Sequence, residues 1–322
     1  HGELPSATEL KLFDEELKVN RSLPDAIFDI ISILKNAHPM EVLRTVVSAL
    51  GAFDPAVSDN SPEAVLEKGI RLTSQVPIIV PAHHRIRSGL KPIPPNAELG
   101  HAENFLYMLK GEAPGADAAR LMDLDMVLHS EHGSNASTFT ARVVTGTDAN
   151  LHAAVTAAIA ALSGPAHGGA AENVMHMARE VGDTSNVEAY IKAKRKNREP
   201  IMGFGHRVYR AEDPRARHLR DGVEKLSEEM GEPHWNEILK ALVNAMKPYS
   251  RLGVNVNVDF YSGVIYHLHG IPEDLFVPIF AMGRLPGWTL HTRQQMANNI
   301  LIRPLLLYDG PDQRDYVPIE DR

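Results

Sequence analysis

Residues 200–215 read Pro-Ile-Met-Gly-Phe-Gly-His-Arg-Val-Tyr-Arg-Ala-Glu-Asp-Pro-Arg, and this stretch carries the strongest functional signal of the chain. Gly203 and Gly205 let the backbone approach a bulky ligand, because they carry no side chain and tolerate positive φ. His206 follows directly, and its ordinary pKa suits proton donation near neutral pH. Further on, Arg215 offers a planar guanidinium that suits a carboxylate. The stretch predicts a site for a small acidic substrate; a glycine turn with a surface histidine is the plain alternative.

The composition indicates a globular protein with an acidic balance. The chain has 322 residues, of which 43% are hydrophobic and 23% charged, so it can bury a large core. A net charge of -8 argues against a nucleic-acid binder, and no apolar run approaches the ~20 residues of a membrane span. The absence of cysteine excludes disulfides, thiolate metal sites and a cysteine nucleophile, and a cytoplasmic location is the simplest expectation.

The first residues carry neither an initiating Met nor a signal-peptide pattern. We expect that the given sequence enters a longer chain partway.

Apolar residues recur at helical spacing along most of the chain, which predicts an all-α protein. Leu10, Phe13 and Leu17 show this spacing, with Ser6 as a candidate cap. Alternating runs are few, and residues 254–260 are the best candidate for an extended segment. One long helix is expected to be interrupted at Pro77. The predicted helices span 6–20, 24–34, 39–51, 65–80, 104–110, 116–132 and 150–162, and further helices follow within 275–302.

The segment 181–253 is more charged than its flanks and contains the basic run 192–198. We interpret it as a smaller, more polar unit inserted into a larger helical body. A movable lobe of this kind is a common way to close a site over a substrate. The basic run is either a phosphate contact for an anionic cofactor or a solvated helix face.

Residues 129–137 read His-Ser-Glu-His-Gly-Ser-Asn-Ala-Ser. Two histidines three apart on one helix face would raise the question of zinc. No third ligand stands at a useful spacing and no His-Glu-x-x-His motif occurs, so we predict no metal. His132, beside a glycine break, is the better candidate for a ligand contact, with a structural histidine as the alternative.

His167 lies in the motif Ser-Gly-Pro-Ala-His-Gly-Gly-Ala, residues 163–170, where one helix ends and another is expected to begin. A helix N-terminus disfavours imidazolium, so a neutral ring there can donate a hydrogen bond to a polarised carbonyl or enolate. A plain turn histidine is equally compatible with this motif.

Asp259 lies between Val258 and Phe260 in an apolar segment. Burial would raise its pKa, and such a carboxylate is a useful base for carbon acids. The alternative is an aspartate that caps the helix expected near Tyr261.

Arg284 and Arg303 both stand among apolar residues. A buried arginine needs a carboxylate, so together with Arg215 they would suit a di- or tricarboxylate. Internal ion pairs are the alternative. Neither a dinucleotide fingerprint, a Walker loop nor a Gly-x-Ser-x-Gly elbow is present.

The motifs around His167, His206 and Asp259 together resemble the citrate synthase family, in its order and spacing, and the resemblance runs from Gly2 to Glu320. It implies a two-domain, all-α fold that works as a homodimer, with larger assemblies left open. Residues 1–167 and 271–322 would form a large helical domain with the dimer contacts and the oxaloacetate site. Residues 168–270 would form a smaller mobile domain that binds CoA.

The resemblance also implies a role for each candidate residue. Asp259 would take a proton from the acetyl-CoA methyl group, His167 would hydrogen-bond the thioester oxygen, and His206 would polarise and protonate the oxaloacetate carbonyl. Citrate and CoA would be the products, with no metal and no permanently bound cofactor. Oxaloacetate would be held by His132, Arg215, Arg284 and Arg303, the last reaching the other subunit's site. CoA would contact Pro200, Ile201, Met202, Gly203, Phe204, Gly205 and Arg210, with residues 192–198 as further candidates for its phosphates.

Two other functions share part of this pattern. A 2-methylcitrate synthase has the same motifs and accepts propionyl-CoA, and one methylene gives only ~1–3 kcal/mol of discrimination. An idle relative that serves in assembly or regulation should have lost some of His167, His206 and Asp259, and all three are present.

Overall fold

The computed structural model describes residues 2–322, and helices form nearly all of the regular structure in that range. Within it, the β-type pairing is limited to one isolated antiparallel bridge between Phe204 and Val256. The predicted all-α class is therefore confirmed. The helices are α1 (Ala7–Val19), α2 (Asp25–Ile33), α3 (Pro39–Phe53), α4 (Pro62–Arg87), α5 (His101–Lys110), α6 (Ala116–His129), α7 (Ala136–Thr145), α8 (Leu151–Leu162), α9 (Ala170–Val181), α10 (Val187–Lys196), α11 (Ala216–Glu229), α12 (Pro233–Ser250), α13 (Asp259–Leu268) and α14 (Phe276–Ala297).

Several helix starts follow from local capping chemistry. Ser6 and Glu9 form a capping box at α1, and the Asn150 side chain accepts a hydrogen bond from the backbone N–H of Ala153 at α8. Pro39 occupies the first turn of α3, where its missing N–H has no helical partner to lose. The predicted starts of these helices are confirmed to within one residue.

The expected interruption at Pro77 is wrong, because α4 continues through Pro77 and Pro81. A proline inside a helix costs about 3 kcal/mol. The turns around Pro77 are buried, including Val76, Ile79 and Val80, and they pack into the main core. Tertiary packing therefore outweighs the local penalty.

The prediction of one helix over 116–132 is also wrong at its end. α6 stops at His129, and Gly133 then turns the chain with a φ of +59°. The Asn135 side chain accepts the backbone N–H of Thr138 and starts α7, a helix that the sequence analysis missed. His132 thus lies in a loop, so His129 and His132 do not share a helix face.

The long helix α14 is drawn close to the end of α6 by two glycines. A Cβ on Gly287 would lie 2.1 Å from the Ser130 carbonyl oxygen, and one on Gly283 would lie 3.2 Å from the His129 Cβ. This close approach places Arg284 directly behind the loop that carries His132. No helix in the described part of the chain is long and apolar enough to cross a membrane.

Hydrogen bonds between two irregular segments, 203–205 and 255–257, bring the stretch 200–215 to the start of α13. The Gly205 N–H donates to the Asn255 carbonyl at 2.7 Å, and the Asn257 N–H donates to the Gly203 carbonyl at 2.9 Å. The extended conformation expected over 254–260 therefore holds around Val256, whereas α13 already begins at Asp259. His206 and Asp259 consequently lie next to each other at the ends of paired segments.

Candidate active site

One cavity of about 720 Å³ is lined by residues from six separate parts of the chain. Six of the seven predicted catalytic and oxaloacetate-binding residues lie on its wall: His132, His167, His206, Arg215, Asp259 and Arg284. The loop after α6, the turn before α9, the central stretch, and the starts of α11 and α13 contribute to it, together with α14. The cavity combines proton-transferring groups with cations, as a site for an acidic substrate requires.

His206 has a defined tautomer. Its Nδ1 accepts hydrogen bonds from the backbone N–H groups of Val208 (3.0 Å) and Tyr209 (3.2 Å). Because both donors are amides, the neutral ring carries its proton on Nε2. Nε2 lies 3.2 Å from Nε2 of His132, which therefore accepts. The single ring N–H of His206 thus lies at the cavity, where it donates to His132.

His167 is fixed in the opposite tautomer. The backbone N–H of Ser137 donates to His167 Nε2 at 3.2 Å, and the Ser137 hydroxyl lies 2.9 Å from the same nitrogen. An amide N–H can only donate, so the proton of the neutral ring is on Nδ1. Ser137 is itself held by the Trp288 indole, which donates to Ser137 Oγ at 3.1 Å. The orientation of the His167 ring is therefore set by specific hydrogen bonds and not only by its place in a turn.

All three cavity histidines are held in the neutral form. Burial lowers the pKa of His206 more than the nearby Asp213 raises it, and burial together with Arg284 lowers the pKa of His167. For His132, burial, Arg215 and His206 lower the pKa to about 4. At neutral pH these rings therefore act as hydrogen-bond donors and acceptors, and the arginines supply the positive charge.

Asp259 is the first residue of α13, yet it does not cap the helix. The N-cap residue is Val258, and no side chain caps this terminus. Within residues 2–322 no hydrogen bond reaches the Asp259 carboxylate. Burial raises its pKa, and the charges of His129 and Arg215 offset only part of that rise. The interpretation as a capping aspartate is therefore wrong, and the carboxylate has the properties of a base.

Arg215 has an internal partner. Its Nε and Nη2 donate to the two oxygens of Asp213, at 3.0 and 2.8 Å. Asp213 is fully buried and also accepts the backbone N–H of Val258 at 3.3 Å, next to Asp259. Arg215 therefore forms an internal ion pair and also lines the cavity, so both interpretations of this residue hold.

Arg284 is buried without a carboxylate partner. It is 2% exposed, its Nε donates to the His129 carbonyl, and its guanidinium stacks 4.8 Å from the Phe280 ring. Its Nη1 is buried and has no partner within the described residues, where no ion pair involves Arg284. A buried cation without an ion pair on the wall of a cavity is suited to bind an anion.

The structure does not bring the other predicted residues to this cavity. Arg303 is exposed in the chain that follows α14, and it does not line the cavity. Arg210 lies at the surface against Gly253, and of residues 200–205 only Gly205 reaches the cavity wall. In the basic run, Lys194 is paired with Glu180 and Glu199.

Three contributors to the site were not assigned a role from the sequence: Ser137, Asp213 and Phe280. An aspartate two residues before an arginine at a helix start is a weak signal for Asp213. No local signal identifies Ser137 or Phe280, because their partners are distant in the chain. Across residues 2–322, no three His, Asp or Glu residues are grouped so that they could hold a metal ion.

Comparisons with known proteins agree with this fold. The family profile described as citrate synthase, C-terminal domain, matches residues 1–305. Citrate synthase 2 of Bacillus subtilis is 45% identical over 324 residues, which cover 100% of this chain and 87% of the relative. A 2-methylcitrate synthase of Mycobacterium tuberculosis is 42% identical, over 97% of this chain and 79% of the relative.

A solved structure is similar over the whole chain. It is the ternary complex of carboxymethyl coenzyme A and oxaloacetate with citrate synthase from Thermoplasma acidophilum. The match has a TM-score of 0.91 and 29% identity, and it covers 100% of this chain and 86% of the other. This chain belongs to the citrate synthase family, whose members are acyltransferases.

Proposed function

We propose that the protein condenses acetyl-CoA with oxaloacetate and water to give citrate and CoA. The observation that carries this proposal is the convergence of a half-buried carboxylate base, two neutral histidines of opposite tautomer and a buried arginine without an ion pair on one cavity. The relative of known structure was crystallised with oxaloacetate and a CoA analogue, which supports the same pair of substrates.

The first step forms the nucleophile. Asp259 takes a proton from the methyl group of acetyl-CoA, while Nδ1–H of His167 donates to the thioester oxygen as negative charge develops there. The raised pKa of Asp259 makes it a stronger base than an ordinary carboxylate, and it has no hydrogen bond to give up. The neutral form of His167 limits the product to an enol or a hydrogen-bonded enolate.

The second step forms the carbon–carbon bond. Nε2–H of His206 polarises the oxaloacetate carbonyl and gives it a proton as the enol attacks. His132, Arg215 and Arg284 hold the substrate's carboxylates, and Arg284 offers the donor that has no internal partner. Water then hydrolyses citryl-CoA to citrate and CoA, and no acyl group is attached to the protein.

CoA binding and domain closure complete the proposal. CoA lies along residues 200–205, with its phosphates near Arg210 and the basic run. The division into a large domain (1–167 and 271–322) and a small one (168–270) stays a prediction, as does the closure of the small domain, which would keep water away until the bond is made.

A homodimer is part of the proposal, because Arg303 lies outside the cavity of its own chain. The residues that follow it, Leu305, Leu306 and Leu307, are 88–94% exposed. Exposed leucines next to an arginine suit a segment that lies on a partner subunit and delivers Arg303 to the partner's site. A cytoplasmic location, and the absence of a permanently bound cofactor, also stay predictions.

The competing function is 2-methylcitrate synthesis from propionyl-CoA. It is favoured by the 42% identity to a 2-methylcitrate synthase. CoA release with oxaloacetate, compared between acetyl-CoA and propionyl-CoA, separates the two. We expect the higher kcat/KM with acetyl-CoA; a higher value with propionyl-CoA would select the competing function.

Asp259→Ala tests the mechanism. We expect condensation to be lost, while calorimetry still detects oxaloacetate binding, because the base does not hold that substrate. Asp25→Ala is the matched control, since Asp25 is the exposed first residue of another helix, α2. Unchanged turnover in Asp259→Ala would rule out this residue as the base.

A further inference from the structure

Asp125 on α6 is a fully buried carboxylate that lies outside the cavity and joins α6 to α13. Its Oδ1 accepts the hydroxyl of Ser262 and its Oδ2 accepts the hydroxyl of Tyr266, each at 2.5 Å. Ser262 and Tyr266 lie one and two turns after Asp259 on α13. One buried carboxylate therefore fixes the helix that begins with the candidate base.

Asp125 also contacts a buried histidine, His129. His129 Nδ1 lies 3.5 Å from Asp125 Oδ2 and 2.8 Å from the Asp125 carbonyl oxygen, so Nδ1 carries a proton. Nε2 of His129 is buried and has no partner within the described residues. The ring packs edge-on against Phe280 at 4.7 Å, and Phe280 lines the cavity. His129 is thus placed directly behind the cavity wall.

Contact between Asp125 and His129 favours the charged form of both. Burial opposes each charge, but contact with His129 and with the two hydroxyls lowers the pKa of Asp125. Contact with Asp125 likewise raises the pKa of His129 above its usual value despite burial. The charges that act on Asp259 include His129 and Asp125 from α6, and Arg215 and Asp213 from the segment before α11. Arg284 on α14 also interacts with it.

We propose that Asp125 is a positioning residue for the condensation, which acts through α13 and His129 to hold Asp259 in place. This inference rests on the proposed function. The hydrogen bonds from Ser262 and Tyr266 hold the first turns of α13 against α6. The protonated ring of His129 places a cation near Asp259, which acts on it more strongly than Asp125 itself does.

Asp125→Asn removes the charge but keeps a hydrogen-bonding group of the same shape. His129, buried and without its counter-ion, then becomes neutral, so Asp259 loses a nearby cation and its pKa rises. We expect kcat to fall about 10- to 100-fold, as for small displacements of a reacting group. The acid limb of the kcat profile should move to higher pH, with KM for oxaloacetate unchanged.

Two further variants keep the test decisive. Tyr266→Phe removes one hydrogen bond to Asp125 and retains the charge of Asp125. It should therefore lower kcat by a smaller factor and leave the acid limb in place. Asp117→Asn, at an exposed position on α6, is the control and should match the wild type in kcat and in the pH profile.

A folded Asp125→Asn variant with the kcat and pH profile of the wild type would overturn the proposal. Should Asp125→Asn fail to fold, an unchanged kcat in Tyr266→Phe would overturn it instead. Failure of the proposed function is recognised separately, because the wild type would then condense neither thioester, and this inference would fall with it.

Discussion

The two cavity arginines should have opposite effects on the stability of the free protein. Arg284 is buried with no carboxylate, and burial lowers the pKa of its guanidinium to about 10. A depression of this size corresponds to about 3 kcal/mol at ~1.4 kcal/mol per pKa unit. A base whose pKa is lower in the folded state destabilises the fold at every pH below both values, so the full penalty is present at neutral pH.

Part of this penalty is offset within the folded protein. The hydrogen bond to the His129 carbonyl and the contact with Phe280 contribute about 1 kcal/mol each. Arg284→Met keeps the length of the side chain and removes the charge. We therefore expect a gain of about 1–2 kcal/mol in the free energy of unfolding, and a rise in Tm of about 2–4 °C.

Arg215→Met is the matched comparison, because it removes a cation that has a partner. It leaves Asp213 fully buried without its counter-ion, which should destabilise the protein by about 3–5 kcal/mol. Thermal unfolding with and without oxaloacetate measures both effects. The wild type should gain about 2.7 kcal/mol at a ligand concentration 100 times Kd, and both variants should lose most of this gain.

A lower Tm for ligand-free Arg284→Met would refute the reasoning, since Arg284 would then be a net stabilising group. A normal oxaloacetate-induced shift in that variant would show that the unpaired guanidinium does not bind the substrate.

Three further predictions concern the remaining parts of the site. Ser137→Ala should lower kcat about tenfold with little change in KM for oxaloacetate, because the tautomer of His167 loses part of its support; equal loss in kcat and affinity would contradict this. Gly203→Ala should lower the free energy of unfolding, measured by urea titration, by about 1–3 kcal/mol. The reason is that φ of Gly203 is +76° and the new Cβ would lie 2.5 Å from a buried phenylalanine ring. Gly205→Ala has open space around the new Cβ, so its free energy of unfolding should fall by less. In the pH profile of kcat/KM, the acid limb should have its midpoint above the pKa of ~4 of an ordinary carboxylic acid, because burial raises the pKa of Asp259. An acid limb with its midpoint at that ordinary pKa would exclude Asp259 as the base.

The sequence by itself determined the features that depend on neighbours a few residues apart. The candidate cap at Ser6 and the helical spacing of apolar residues predicted a helix whose start is confirmed to within one residue. The residue types at His206 and Asp259 indicated proton transfer before any geometry was known. These signals are local, because a helix turn and a side chain's intrinsic chemistry are both set within a short stretch of chain.

Only the tertiary structure decided which charges are paired and which helices continue. α4 passes through Pro77 because the turns around this residue are buried in the core with distant helices. Arg215 meets an internal carboxylate and Arg284 does not, although the sequence predicted a substrate carboxylate for both. These outcomes depend on contacts between residues far apart in the chain, where burial and the position of a partner set the energy of a charge.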